Sequence, residues 1–185
     1  LSLARDTAGD PVGRIAAIQF NRHLEVYGDG VGFFGFFECV DDESVAGRLF
    51  SEAAEWLRGQ GLKRMRGPTS FTINEEIGLL IENFDESPTL LTTWNPPYYQ
   101  RLVESAGLAK VEDLLAREVA FSDMDLRYLE RLARAGARNG QVTIRQANLA
   151  KLETEIEILV KIYAEAWIEN WGAVPFSRDE FLKMA

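Results

Sequence analysis

The sequence predicts an α/β fold in which a mixed central sheet is flanked by helices. Three patterns predict it: residues 3–20 resemble a β-hairpin, residues 31–40 are apolar on both faces of a strand, and residues 41–59 carry apolar side chains at helical spacing. The chain has 185 residues, of which 46% are hydrophobic. That is enough to bury at least one full core.

The hairpin is predicted from its turn. Residues 3–6 run into a cluster of turn formers at residues 7–11, and residues 12–20 are rich in β-branched and apolar side chains. A second turn at residues 28–30 precedes the segment 31–40, where aromatic residues fall on both alternating faces. A strand that is apolar on both faces is normally central in a sheet covered by helices. We therefore expect this strand to be internal, with four phenylalanines mostly buried: Phe33, Phe34, Phe36 and Phe37.

Helices and short strands alternate after the central strand. Residues 41–44 offer helix caps and first-turn acids for a helix of about four turns that ends at Gly59 and Gly61. Its apolar positions are Val45, Leu49, Ala53, Trp56 and Leu57. Residues 62–66 then predict a strand beside the central one, closed by Gly67 and Pro68 because proline cannot continue a central ladder.

The remaining chain predicts further elements. An irregular stretch over residues 69–93, with room for a small hairpin, precedes an amphipathic helix from Tyr98 to Ala106 and a strand over residues 108–121. A connecting helix over 123–138 ends at Asn139 and Gly140. A strand over 141–146, a long helix over 151–171 and a helix over 177–185 with Ser177 as its N-cap follow.

These elements predict two domains, over residues 1–121 and 141–185, joined by a connecting helix and linker over 122–140. The second domain is expected to be truncated, and the first to lack its earliest elements because the chain opens with Leu1 directly in a strand. The alternative is one composite domain in which the helix 151–171 packs over the first sheet.

Composition disfavours several classes of function. The net charge of −9 would repel a phosphate backbone or an anionic membrane surface. The longest apolar run is far short of the roughly 20 residues that span a bilayer. Cys39 and His23 are the single cysteine and the single histidine, so neither an internal disulfide nor a Cys/His zinc cluster can form. A reducing, cytoplasmic location and no metal are expected.

His23 and Cys39 would have to supply any histidine- or cysteine-based catalysis. His23 lies between two predicted strands with no nucleophile motif nearby, which favours a surface or edge histidine. Cys39 ends an apolar strand, which favours a small buried hydrophobe over a reactive thiol.

The order hairpin, central strand, helix, strand, helix, strand resembles the core of the GCN5-related N-acetyltransferases. The local sequence at residues 6–15, an acidic turn before an apolar-Gly-apolar strand, resembles their hairpin, and residues 95–108 resemble their segment in which Asn opens a helix that ends in Gly. More narrowly, residues 32–38, 67–68, 95–99 and 170–175 resemble a poorly characterised bacterial group with tandem domains of this type.

This resemblance implies transfer of an acyl group from acetyl-CoA or another acyl-CoA to a small-molecule or peptide amine. In that superfamily a Gly-rich loop after the central strand presents backbone N–H groups to the CoA diphosphate at a helix N-terminus. The positions that match the cofactor contacts are Cys39, Val40, Ser44, Ala46 and Gly47. The matching loop departs from the pattern, because it is acidic and keeps one glycine. A homodimer is compatible with the resemblance.

Glu38 is the candidate catalytic residue. It interrupts the phenylalanine run where the acetyltransferase sheet opens to admit the thioester, and a partly buried carboxylate can take a proton from an ammonium nucleophile. The alternative is a Glu38 that points to solvent or pairs with an arginine. Many family members place a tyrosine where Val103 stands here, and Tyr98 and Tyr99 lie one to two turns earlier.

An acceptor pocket is predicted from the irregular segment and two helix ends. Its candidate residues are Asn74, Trp94, Asn95, Tyr98, Tyr99, Asn170 and Trp171. The alternative is that these side chains simply pack the loop and the helix core.

Three functions are compatible with this sequence. The first is an acyl-CoA-dependent N-acyltransferase of the tandem kind, with a degenerate first domain and the cofactor in the second. The second is a non-catalytic binding or assembly module, and the third is an aminoacyl transferase of the peptidoglycan-bridge type, which the acidic charge disfavours.

Overall fold

The structure is a computed structural model that describes residues 1–120, 122, 124–138, 145–176 and 178–184. The chain divides into two compact units. The first comprises residues 1–112 and 167–174, and the second comprises residues 113–166 and 175–185. The described part of the chain contains no helix long and apolar enough to cross a membrane.

The first unit is built on a four-stranded mixed sheet in the order β1-β2-β3-β4. Its strands are β1 (Ser2–Arg5), β2 (Pro11–Ile18), β3 (Val31–Cys39) and β4 (Arg64–Arg66). The strands β1, β2 and β3 pair antiparallel, and β4 runs parallel to β3. This confirms the predicted α/β class, the hairpin, the internal position of the central strand and the strand that ends at Gly67.

Three helices belong to the first unit: α1 (Asn21–Tyr27), α2 (Glu43–Gly59) and α3 (Tyr99–Ser105). The phenylalanines of β3 point to both faces of the sheet, as predicted. The Phe34 ring lies 5.1 Å from Phe50 of α2, whereas the Phe33 ring lies 4.9 Å from His23 of α1. The main core forms on the α2 and α3 side of the sheet.

A β-bulge interrupts the pairing of β2 with β3. Arg14 lies opposite Glu38 and Ala16 lies opposite Gly35, so Ile15 faces two residues, Phe36 and Phe37. Phe36 takes a left-handed conformation with φ of 50°. The extra residue reverses the alternation of faces, so Phe37 joins Phe34 in the core, while Phe36 is only half-buried against Phe71. The prediction of burial is therefore confirmed for three of the phenylalanines but not for Phe36.

Close backbone approach limits β4 to three residues. After β4 the chain turns at Gly67 and Pro68, and the Thr69 N–H donates to the Phe34 carbonyl at 2.7 Å. Thr69 crosses directly over Gly35, where a Cβ would lie 2.7 Å from the Thr69 carbonyl carbon and closer still to its oxygen. The parallel ladder therefore stops at Phe33. The following stretch, residues 69–93, is irregular and contains one isolated bridge between Thr69 and Ile77.

The second unit contains α4 (Leu126–Arg138), most of α5 (Leu152–Trp167) and α6 (Arg178–Met184). The connecting helix and the C-terminal helix are confirmed. The long helix ends at Trp167, four residues earlier than predicted, because residues 168–172 form turns. The predicted N-cap Ser177 and residues 139–144, which include the predicted linker and most of one strand, lie outside the described residues. The tandem arrangement of domains stays a prediction.

Two further predicted features are wrong. Residues 108–120 form no strand and are mostly exposed, because no strand among the described residues pairs with them. Trp56 is exposed, since its neighbour Leu57 takes the core-facing position on α2.

We expect Gly35→Ala to lower the free energy of unfolding by about 3 kcal/mol, because the methyl group forces the Thr69 backbone away from β3. Chemical denaturation measures this change. Gly47→Ala is the matched control: a Cβ there meets nothing within 4 Å, so in the interior of α2 it should stabilise by about 0.5 to 1 kcal/mol. Equal effects at the two glycines would contradict the close approach.

Candidate functional site

Two tyrosines close the end of β3. The Tyr99 hydroxyl accepts from the Cys39 N–H at 2.9 Å, and the Tyr98 hydroxyl donates to the Cys39 carbonyl at 3.0 Å. The N–H and C=O of one strand residue point the same way along the sheet, so these hydroxyls take the places that a neighbouring strand would fill. Because β4 ends early, the start of α3 completes this part of the ladder.

Glu38 belongs to the same cluster. Its carboxylate accepts from the Tyr99 hydroxyl at 2.8 Å and lies 3.8 Å from the guanidinium of Arg14. The side chain is 60% exposed, so the burial on which the general-base hypothesis relied is absent. The arginine-paired, solvent-facing alternative describes the geometry that is present.

Neighbouring charges and burial keep the other groups of the cluster protonated. Burial, with the nearby Asp42 and Asp41 carboxylates, raises the pKa of the Cys39 thiol to about 11. Burial also raises the pKa of Tyr99, and its hydrogen bond to Glu38 raises it further. At neutral pH Cys39 is therefore a thiol with little nucleophilic character, and its burial agrees with the interpretation as a small hydrophobe.

The acidic loop before α2 binds its own helix and α3. One oxygen of Asp42 accepts from the N–H groups of Ser44 and Val45 at 2.8 and 3.3 Å, which makes it the N-cap. A hydrogen bond from the Ser44 hydroxyl, together with these two backbone hydrogen bonds, lowers the pKa of Asp42. Arg101 of α3 pairs with Asp41 and Glu43. The three acids of the loop are thus compensated in part by one arginine, which lies on α3.

The candidate cofactor positions do not fit a CoA diphosphate. Two of the N–H groups that a phosphate would need already bind the Asp42 carboxylate. Ser44 donates its hydroxyl to the same carboxylate at 2.7 Å, and Ala46 faces the core. Val40 and Ser44 are exposed, and a Cβ at Gly47 would meet nothing within 4 Å. The acids that remain uncompensated after Arg101 add repulsion to this occupancy.

The candidate acceptor residues contact different segments of the first unit. Both amide hydrogens and the oxygen of buried Asn95 bind backbone groups of Leu80 and Pro96, so Asn95 fixes the irregular segment to the start of α3. Trp94 is exposed and donates to the Phe84 carbonyl at 3.3 Å.

Asn74 and Trp171 lie instead with the segment 167–174 of the first unit. Asn74 donates to the Val174 carbonyl at 3.3 Å, and the guanidinium of Arg66 lies 5.0 Å from the Trp171 ring. The Asn170 carbonyl accepts from the N–H of Ala173 at 3.1 Å and so forms part of a turn. The Tyr27 hydroxyl donates to the Ala173 carbonyl at 2.8 Å, so α1 also holds this segment.

His23 is buried, which corrects the prediction of a surface or edge histidine. It lies on α1, is 2% exposed, and its Nε2 is 3.2 Å from Asp29. Asp29 also accepts from the Val31 N–H at 3.0 Å. Burial lowers the pKa of His23, although Asp29 opposes this shift. Burial on its own would raise the pKa of Asp29. The hydrogen bonds from Val31 and His23 outweigh this effect, so the pKa of Asp29 is lowered.

Sequence reasoning missed α1 because seven residues are too few for a clear helical period. One signal was present: Gly28 follows directly and adopts φ of 58°, the left-handed conformation that ends many helices. Arg14 and Arg101 were missed as well, because ion pairs between distant residues leave no local pattern. The described residues contain no group of three side chains placed to hold a metal ion.

Comparison with known proteins identifies two similar curated proteins. Protein YghO from Escherichia coli (strain K12) is 37% identical over 182 residues, and a protein named bacterial ceramide synthase from Caulobacter vibrioides is 34% identical over 179 residues. Each alignment covers 96% of this chain but only 45% and 46% of the respective relative. The chain therefore spans about half the length of the curated relatives it matches. No family model matches the chain, and no solved structure matches it significantly.

We expect Tyr99→Phe to lower the free energy of unfolding by about 1 to 3 kcal/mol, because the buried Cys39 N–H loses its acceptor. Tyr128→Phe, on an exposed tyrosine, should change it by no more than about 0.5 kcal/mol. Thermal and chemical denaturation compare the two. If Tyr99→Phe changed the free energy of unfolding as little as the control does, the hydrogen bond from the Cys39 N–H to Tyr99 would not stabilise the end of β3.

We expect stability to fall as the pH drops below the ordinary histidine value of 6.5. The folded-state pKa of His23 is lowered, so below 6.5 the unfolded state binds the proton first, and stability is lost towards the folded pKa by at most about 1.4 kcal/mol per pH unit. His23→Gln removes the chain's single histidine. Parallel stability profiles of the two proteins between about pH 7.5 and about pH 5.5 would contradict this assignment.

Proposed function

We infer that this protein is an acyl-CoA-dependent N-acyltransferase. The observation that carries this proposal is the 34% identity, over 96% of the chain, to a protein named bacterial ceramide synthase. Ceramide is the amide of a fatty acid with a long-chain amino alcohol, so its synthesis from an activated acyl donor forms an amide at a primary amine. The resemblance to the N-acetyltransferases implies the same bond. The proposed acceptor class is therefore a long-chain amine.

We propose further that the first unit is a scaffold of this enzyme and does not bind the donor at the N-terminus of α2. The support is the Asp42 cap, which occupies the N–H groups of Ser44 and Val45, and the pair Tyr98 and Tyr99, which binds the backbone at the end of β3. Glu38 then acts with Arg14 as a partner for Tyr99. The donor site is expected in another part of the protein.

The same closed geometry favours a second candidate function, that of a non-catalytic binding or assembly module. In that case the protein would form no amide from any acyl-CoA and long-chain amine.

The test incubates the protein with a long-chain acyl-CoA and sphinganine and detects the product by mass spectrometry. We expect an amide from sphinganine and none from N-acetylsphinganine, whose nitrogen is blocked. Glu38→Gln and Asp42→Gly should retain kcat within about threefold, because neither residue touches a reacting atom in the proposed arrangement. Asp42→Gly should cost only a few tenths of a kcal/mol, since glycine is an acceptable N-cap.

Two results would overturn these proposals separately. If no amide or an ester forms, the N-acyltransferase proposal fails. If amide forms but Glu38→Gln lowers kcat by about a hundredfold or more at unchanged melting temperature, Glu38 is a general base and the active site lies in the first unit.

A further inference from the structure

The helix α4 has an unusually clean division between apolar and basic residues. Leu126, Leu129 and Leu132 recur every three residues along one side, while Arg127, Arg131 and Arg134 lie on the other. The three leucines are 59%, 43% and 52% exposed. Both faces of this helix are thus open to a partner.

The arginine side borders a space that is open to solvent and lined by residues 125–134 alone. A volume of about 450 Å³ is lined by Arg127, Arg131 and Arg134 together with Asp125 and Glu130. Glu130 pairs with Arg134 at 3.3 Å, and Arg131 lies 5.9 Å from the Tyr128 ring. Arginine side chains bind phosphate groups well. The leucines on the opposite side of the same helix can contact an acyl chain, so the helix suits a phosphate group attached to an acyl chain.

Charge distinguishes α4 from its neighbour in the second unit. The sequence of α4 carries four arginines and one glutamate, a net charge of +3, in a chain whose net charge is −9. The helix α5 also exposes apolar residues, among them Leu159 and Ile162. It carries four glutamates and one lysine, a net charge of −3. An acidic partner therefore fits α4 and not α5.

We propose that α4 docks in the plane of an anionic lipid surface, with its leucines among the acyl chains and its arginines at the headgroups. A high amphipathicity, a low mean hydropathy and an arginine-rich polar face are the features of helices that lie in a membrane interface. The expectation against a membrane partner came from the net charge, which hides this local excess of positive charge. The proposal goes beyond the proposed activity and does not depend on it.

The test is co-sedimentation of the protein with vesicles of phosphatidylcholine alone or of equimolar phosphatidylcholine and phosphatidylglycerol. We expect binding to the anionic vesicles, weakened by salt, and at least tenfold less binding to the neutral ones. Leu129→Ser/Leu132→Ser and Arg127→Gln/Arg131→Gln should each weaken binding to the anionic vesicles about tenfold or more.

Matched controls keep the result specific to α4. Leu159→Ser/Ile162→Ser removes equally exposed apolar side chains from α5, and Arg48→Gln/Lys63→Gln removes two exposed positive charges from the first unit. Neither should change binding more than about twofold. Absence of binding to anionic vesicles, or equal loss in the α4 and control variants, would overturn the proposal. So would a lower melting temperature or a lost dimer in Leu129→Ser/Leu132→Ser, because either result would show that protein covers this face.

Discussion

The first unit depends on the close approach of the Thr69 backbone to Gly35. This contact ends the parallel ladder after three residues of β3, because the chain beyond Pro68 crosses over the strand and no longer runs beside it. A buried strand cannot leave its backbone groups unpaired without a cost of about 1 to 3 kcal/mol each. Beyond Phe33, the Thr69 N–H binds the Phe34 carbonyl, and Tyr98 and Tyr99 at the start of α3 bind the backbone of Cys39.

The contact between the start of α3 and Cys39 occupies the backbone groups at the end of β3. Tyr98 and Tyr99 reach Cys39 because Asn95 fixes the start of α3 through three backbone hydrogen bonds. Arg101, one turn later, then faces the acidic loop and neutralises part of its charge. The strand end, the helix cap and α3 therefore form one set of mutually satisfied polar groups. These contacts support the proposed role of the first unit as a scaffold.

The sequence predicted the elements whose signals are local and repeated. The hairpin follows from its turn residues, β3 from its apolar run and α2 from its cap and spacing, and all three are confirmed. The failures involve packing partners that the local sequence pattern does not specify. The apolar pattern at residues 108–120 suits a strand, but none of the described strands pairs with this segment. His23 was expected at the surface because its burial depends on Asp29 and on the packing of a short helix. The bulge that displaces Phe36 likewise arises from pairing with β2.

Net charge was the least informative property of this chain, because opposite charges are segregated. In the first unit the acids at residues 41–43 make local contacts: Asp42 caps the N-terminus of α2, and Arg101 pairs with Asp41. In the second unit α5 carries a net charge of −3 and α4 a net charge of +3. Interactions between exposed charges fall off over about 10 Å at ordinary salt concentration, so a partner at one helix responds to that helix and not to the total. An acidic protein can therefore present a basic amphipathic face, and its recognition properties must be derived element by element.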